Sequence, residues 1–118
     1  MTLDTNALDE LRNTVDDDAD TIGWGDGDRA ESSDDASLQN QLLSKDETDD
    51  DVDTSVPDDG QWRIEGTVAL DELNGETIRE VNVQGTTVSD WLRKRHTGIE
   101  KANDFEIDYE LTVRVDNA

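Results

Sequence analysis

Residues 61–83, QWRIEGTVALDELNGETIREVNV, decide how this chain is read. Across 61–71 apolar and polar residues alternate. Trp62, Ile64, Val68 and Leu70 fall on one face, and Arg63, Glu65, Thr67 and Asp71 on the other. That period of two is the signature of a strand buried on one side. Asn74-Gly75 follows, a dipeptide that tolerates the positive φ of a tight turn, so 73–76 is expected to reverse the chain. Residues 77–83 then return as the partner strand, with Val81 and Val83 on one face and Ile78 on the other. Arg79 and Glu80 stand inside that strand. They read either as a cross-strand ion pair of small energy or as part of a contact between subunits.

Working outward, residues 105–115, FEIDYELTVRV, alternate even more cleanly. Phe105, Ile107, Tyr109, Leu111, Val113 and Val115 are expected to point inward, with Glu106, Asp108, Glu110, Thr112 and Arg114 outward. Residues 21–28, TIGWGDGD, read as a short strand running into a glycine-rich turn, and 29–37 as a loop that could start a helical turn near Asp34. Periodicity does not separate helix from strand for 38–48 or for 88–99, VSDWLRKRHTGI. Residues 6–15 predict a short helix, with Asn6 as N-cap, Asp9 and Glu10 in the first turn, and Leu8, Leu11 and Val15 on one face. A helix this short must dock on something. Residues 16–20 read as an acidic linker and 46–60 as an acidic surface loop. The expectation is a single mainly β domain over 1–118, a small antiparallel β-sandwich with a short N-terminal helix. Its helix and linker occupy 1–20 and its β domain 21–118.

The charge is extreme and uneven. The chain has 118 residues, 32 acidic and 10 basic, for a net charge of -22. Twenty of the acidic and three of the basic residues fall in 1–59, leaving twelve and seven in 60–118. Such a balance reads as disorder or as a surface adapted to high salt, where the Debye length falls to about 3 Å and self-repulsion is screened. Clean strand patterning in the second half favours the salt-adapted reading. A surface this negative repels nucleic-acid phosphates. Without cysteine there is no disulfide framework or thiol chemistry. The opening MTLDTNALDE lacks the basic and apolar regions of a signal peptide, and no apolar run approaches the roughly 20 residues of a membrane span. A soluble protein made in the cytoplasm, without membrane insertion, is expected.

Motifs with chemical potential are few. Asp49, Asp51 and Asp53 have the spacing that opens a calcium loop, but Thr54 stands where glycine is needed and Gly60 where a bidentate Glu belongs. They are weak metal candidates and read as a solvated loop. The glycines of GWGDG, 23–27, are not followed by the lysine of a phosphate-binding loop, and Asp26 and Asp28 would repel a phosphate. His96 is the single histidine, too little for a Ser-His-Asp set or a zinc site. No catalytic residue and no cofactor is expected. Trp91, Leu92, Arg93, Lys94 and Arg95 form the one cluster of aromatic and positive groups. With Arg79 and Glu80 they are the candidate interface residues. Trp24, Trp62 and Trp91 could alternatively stack on sugars.

The order of these features resembles small tail proteins of tailed viruses. In them a strand ends in a Gly-x-Gly turn, here in TIGWGDGDRAESSDDASLQNQLLSKD. A Ser/Asp/Ala-rich loop follows, then a Leu-rich segment closed by a basic residue, here Lys45. An alternating strand, an Asn-Gly turn and Thr-Ile-Arg-Glu come next, here ALDELNGETIREVNV. The ending GIEKANDFEIDYELTVRV is similar to the C-terminal strand of tail-fibre-like proteins from viruses and proviruses of haloarchaea. The resemblance spans roughly residues 3–115. Val81-Asn82-Val83 replaces the Gly-Leu-Phe-like residues of the commoner version, 46–59 has no fixed counterpart, and VSDWLRKRH is bulkier and more basic. It implies a non-enzymatic virion component, a tail-fibre, tail-collar or tail-tip (baseplate) subunit. Such a subunit would form homo-oligomers, with a trimer the expected number, and would contact other virion proteins or the host cell surface. A head-attached spike, turret or decoration protein is the alternative, and a cellular halophilic ligand- or carbohydrate-binding module a second.

Overall fold

The computed structural model describes residues 5–32, 34–56 and 60–114, and their side chains except at 5–9 and 12. It is a small antiparallel β-sandwich with one N-terminal helix. The elements are α1 (Thr5–Asp18), β1 (Ala19–Gly25), β2 (Gln41–Asp46), β3 (Val52–Ser55), β4 (Gln61–Val68), β5 (Thr77–Gly85), β6 (Asp90–Glu100) and β7 (Ile107–Arg114). One sheet has four strands in the order β2-β1-β5-β6, the other three in the order β3-β4-β7. The chain therefore crosses between sheets three times, through 47–51, 69–76 and 101–106.

The core lies between the sheets. Ile22, Trp24, Val81 and Val83 from the larger sheet meet Val52, Trp62, Ile64 and Val68 from the smaller one. Ile22 stands opposite Val83 and Trp24 opposite Val81 in the β1–β5 ladder, so the four apolar side chains share the inward face. Helix α1 packs on β1 and β4 through Val15, while Leu11 is 48% exposed. Gly66 makes the close approach of the sheets possible. A Cβ at that position would sit 2.8 Å from Ile22 Cγ2 and 3.2 Å from the Trp24 ring.

Several expectations are corrected. The turn at Asn74-Gly75 does not close a hairpin between 61–71 and 77–83, because β4 pairs with β3 and β7 and β5 with β1 and β6. The segment 69–76 is too long for a two-residue hairpin loop and instead carries the chain to the other sheet. Within it Glu72 N–H donates to Ala69 O at 3.1 Å and Glu76 N–H to Leu73 O at 3.0 Å. The positive φ angles fall on Leu73 (55°) and Gly75 (86°), not on Asn74. The acidic linker is absent: α1 runs to Asp18 and β1 begins at the next residue. The acidic loop contains β3, which pairs with β4. The two ambiguous stretches, 38–48 and 88–99, form strands β2 and β6. Leu70 lies beyond β4 and is half exposed, and Phe105 lies before β7. The side chains of Asn6, Leu8 and Asp9, and all of Val115, lie outside the described residues.

Replacing Gly66 by Val should force Ile22 and Trp24 aside and cost about 1–3 kcal/mol, the usual price of overpacking. Denaturant unfolding followed by tryptophan fluorescence reads this as a lower midpoint. An unchanged midpoint would contradict the sheet packing described here.

Candidate functional site

The larger sheet has a polar outer face, whose most buried members are Glu80, Asn82 and Arg93. In β1 the residues between Ile22 and Trp24 and just after are glycines. Gly23 stands opposite Asn82 and Gly25 opposite Glu80. Small residues on one strand leave room for large polar ones on the next. A Cβ at Gly25 or at Gly27 would lie 2.5 Å from Glu80 Oε2. The glycine-rich turn is thus wrapped around a carboxylate of the protein itself.

Glu80 is 0% exposed. Its Oε2 accepts N–H bonds from Gly27 at 2.7 Å and Asn40 at 3.0 Å. Its Oε1 accepts from Gln39 N–H at 2.8 Å and from Arg93 Nε at 2.8 Å. Arg93 reaches on to Arg29 O at 3.0 Å through Nη1. Its Nη2 is buried without a partner among the described residues. Arg95, not Arg93, stands directly across the ladder from Glu80. The ion pair forms on the diagonal, and Arg95 turns outward to Asp28 O at 3.1 Å. Burial alone would push the Glu80 carboxyl up. The Asn40 N–H, Arg93 and the Gln39 and Gly27 N–H groups outweigh it and hold the pKa below its ordinary value. One carboxylate thereby pins both ends of the 26–40 loop to the sheet. Asn82 holds the middle, donating to Ala36 O at 3.3 Å and to Asp90 Oδ1 at 2.9 Å.

Asp18 repeats the device at the end of α1. Its carboxylate accepts from the N–H groups of Thr86, Thr87 and Val88 at 3.2, 2.7 and 2.9 Å, and from Trp91 Nε1 at 3.0 Å. The Thr87 and Val88 N–H bonds lower its pKa against the opposing effect of burial. Two buried lysines tie the crossings. Lys45 Nζ donates to Asp51 Oδ2 at 2.9 Å, Thr67 O at 2.7 Å and Glu72 Oε1 at 2.5 Å. Lys101 Nζ donates to Leu70 O at 3.3 Å, Asn74 Oδ1 at 3.0 Å and Ala102 O at 2.8 Å. Each ammonium has all three of its N–H groups bonded. Burial lowers the Lys45 pKa, but Asp51 and Glu72 more than reverse it, so the net shift is upward.

The candidate interface residues divide. Glu80 and Arg93 are interior, so they are corrected from interface to framework: a buried, mutually paired carboxylate and guanidinium leave no surface to offer. Arg79 does not pair with Glu80; it is half-buried and points to Asp26 O at 3.4 Å. Leu92 packs on the core, and Trp91 is half-buried with its indole N–H on Asp18. Lys94 and Arg95 are exposed, near Glu31 at 3.8 Å and Asp28 at 4.0 Å. Arg79, Glu80, Arg93 and Arg95 therefore converge on the 26–40 loop. Of the weak metal candidates, Asp49 Oδ1 accepts Asp51 N–H at 2.8 Å and Asp51 pairs with Lys45. Among the described residues no three His, Cys, Asp or Glu side chains converge as a metal site, Asp53 included. Trp24 and Trp62 are buried, which takes them from any sugar-stacking face. His96 Nδ1 lies 2.8 Å from Thr97 O, and its Nε2 is hydrogen-bonded with the Tyr109 hydroxyl at 3.0 Å. The pair ties β6 to β7. Sequence reasoning missed Asp18, one of three consecutive aspartates with no local signal. Glu80 had one, the matched spacing of glycines in IGWG and polar residues in EVN.

Comparison with protein-family models, with curated proteins and with solved structures gave no match to this chain.

Glu80→Gln should cost about 3–5 kcal/mol at neutral pH, because it leaves Arg93 buried without a counter-charge. Chemical denaturation measures this, and a loss below about 1 kcal/mol would contradict the role given to the pair. The pH dependence has a definite sign. Glu80 and Asp18 are depressed in the folded chain. Their contribution is complete above the ordinary carboxylate pKa of about 4 and lost as pH falls through the folded values. At the other end, burial pushes Tyr109 from 10.0 up to about 12, and Lys45 is raised above 10.5. Their contributions are complete below those ordinary values and lost as pH rises through the folded ones. Stability against pH should therefore be flat around neutrality and fall below about pH 4 and above about pH 10. A maximum in acid would contradict it.

Proposed function

We propose that this chain is a non-enzymatic structural subunit of a tailed-virus particle from a salt-dependent archaeal host. The position proposed is a tail fibre or tail tip, where it assembles with copies of itself and joins other virion proteins or the host surface. The observation that carries the reading is contact between the motifs behind the resemblance. Gly27 of the glycine turn donates to Glu80 of Thr-Ile-Arg-Glu. Lys101 of Ile-Glu-Lys donates to Asn74 of the Asn-Gly turn, and Gly75 N–H donates back to Lys101 O at 2.9 Å. Lys45, the basic residue closing the Leu-rich segment, ties two crossings at once. A pattern made of mutual clamps is what a scaffold needs, and it leaves these charged groups occupied by the fold rather than poised for chemistry.

The charge supports the salt-dependent half of the proposal. Of the ten basic residues, Lys45, Arg93 and Lys101 are buried, against Asp18 and Glu80 among the thirty-two acidic ones, so the surface has still fewer cations to offset its carboxylates. Repulsion across it falls as the Debye length shortens from about 10 Å at 0.1 M salt to about 3 Å at 1 M. The melting temperature should rise across that interval, and a salt-independent value would count against a salt-adapted surface.

Immunogold labelling of particles of the encoding virus, kept in their native salt, tests the location. Label at the tail tip is expected. Label at capsid vertices would replace the tail assignment with a head spike or decoration protein. No label on intact particles that other virion antibodies recognise would overturn the virion reading.

A further inference from the structure

We propose that β7 is a strand-addition edge at which two copies of this chain pair, β7 against β7, about a two-fold axis. The proposal rests on the assembly reading above and names its surface.

Four strands lie at sheet edges: β2, β6, β3 and β7. Three carry features that discourage pairing. The Arg95 N–H of β6 is taken by Glu31 Oε1 at 2.9 Å, and the β5–β6 ladder is twice irregular. The β1–β2 ladder shifts register at Trp24/Gly25. Strand β3 has only four residues. Short length, bulges and capping groups are the ordinary protections of an edge. Strand β7 has none of them. It runs for eight residues without proline, and its register with β4 is unbroken from Gln61↔Arg114 to Val68↔Ile107. Among the described residues no backbone hydrogen bond joins it to a loop.

The side chains of β7 fit a second copy. Ile107, Tyr109, Leu111 and Val113 are only half-buried on the inward face, with Asp108, Glu110, Thr112 and Arg114 exposed on the other. Antiparallel pairing sets like faces together. A register centred on Leu111 brings the two Leu111 side chains opposite one another and Tyr109 opposite the second copy's Val113. On the outer face it sets Asp108 opposite the second copy's Arg114 and Glu110 opposite its Thr112. No two like charges then face each other, and the charged cross-strand pair is attractive. On a chain of net charge -22, few surfaces meet a copy of themselves without a direct acidic clash. The product is a continuous six-stranded sheet, β3-β4-β7 running into its symmetry mate, whose second half extends the apolar row of the first. Such an isologous contact builds dimers and even-numbered assemblies, in contrast to the trimer the resemblance suggests.

The chain contains no cysteine, so a single introduced thiol reports one position. Leu111→Cys places the two thiols directly opposite, within the Cβ separation of a cross-strand pair. A mixture of Glu110→Cys and Thr112→Cys chains sets a second pair of thiols directly opposite on the solvent side and guards against a fold weakened by loss of the leucine. Ser55→Cys, exposed on the far edge of the same sheet, is the control. Under mild oxidation in molar salt, Leu111→Cys should form a covalent dimer roughly tenfold faster than the control, with the Glu110→Cys and Thr112→Cys mixture also ahead of it. The proposal is overturned if neither exceeds Ser55→Cys. Sedimentation of the unaltered chain in the same salt separates the two failures. An oligomer without cross-linking sinks the β7 edge and leaves the assembly reading standing. A monomer at every concentration sinks both.

Discussion

A single carboxylate has no contact with water and yet stays ionised, and much of the structure is arranged to allow it. Glu80 would be costly to bury alone. It is tolerated because Gly27, Gln39, Asn40 and Arg93 surround it with four donors. That requirement reaches back into the sequence. Glycine is needed at 25 and 27 so that backbone can come this close. The 26–40 loop must return over the outer face of the sheet to deliver its N–H groups. Arg93 must be drawn from the basic run of β6 into the interior. A glycine loop that in another setting would cradle a ligand's anion is filled here by the chain's own.

The same economy governs the remaining buried charges. A sandwich whose chain changes sheets three times has backbone carbonyls at the crossings with no ladder partner, and each must be satisfied. Lys101 does this for Leu70 O and Ala102 O, and Lys45 joins the carboxylates of two crossings, Asp51 and Glu72, to the Thr67 carbonyl of β4. Because these pairs are inside, molar salt that screens the acidic surface acts on them little. Salt then weakens the repulsion that opposes folding while sparing the attractions that direct it. A chain with few cations gains most by burying them where each fixes several segments.

Much of the fold was legible from period alone. The alternation in 61–71 and 105–115 identifies two strands of the smaller sheet, β4 and β7, though β4 stops at Val68 and β7 starts at Ile107, and the helix is legible but shorter than it is. Partnership was not legible. The Asn-Gly dipeptide marks a turn truthfully, but a local signal does not say whether the chain turns back along its own sheet or steps to the other one. The aspartates of 16–20 and 46–60 read as linker and loop, because charge obscures the helix end and the apolar Val52 that anchors β3. The candidate site was half legible. The aromatic and basic run of 91–95 stands out in the sequence, as do Arg79 and Glu80, yet period alone does not show that the 26–40 loop covers Arg93 while Arg95, on the same face of β6, stays exposed. Glu80 reads as part of a weak cross-strand ion pair; its partner is indeed across the ladder, Arg93, but nothing local shows that the loop buries the two.

The central claim is that the interior Glu80 carboxylate, rather than the local propensity of 26–40, holds that loop to the sheet. Native-state hydrogen exchange in high salt, resolved by amide, addresses it directly. The amides of Gly27, Gln39 and Asn40 belong to a loop, and ordinary loop amides exchange by small local openings. If the carboxylate holds them, they should exchange only with the opening that also frees the ladder amides of β1 and β5. Exchange of these three amides at rates typical of exposed loops, while β1 and β5 remain protected, would contradict the account.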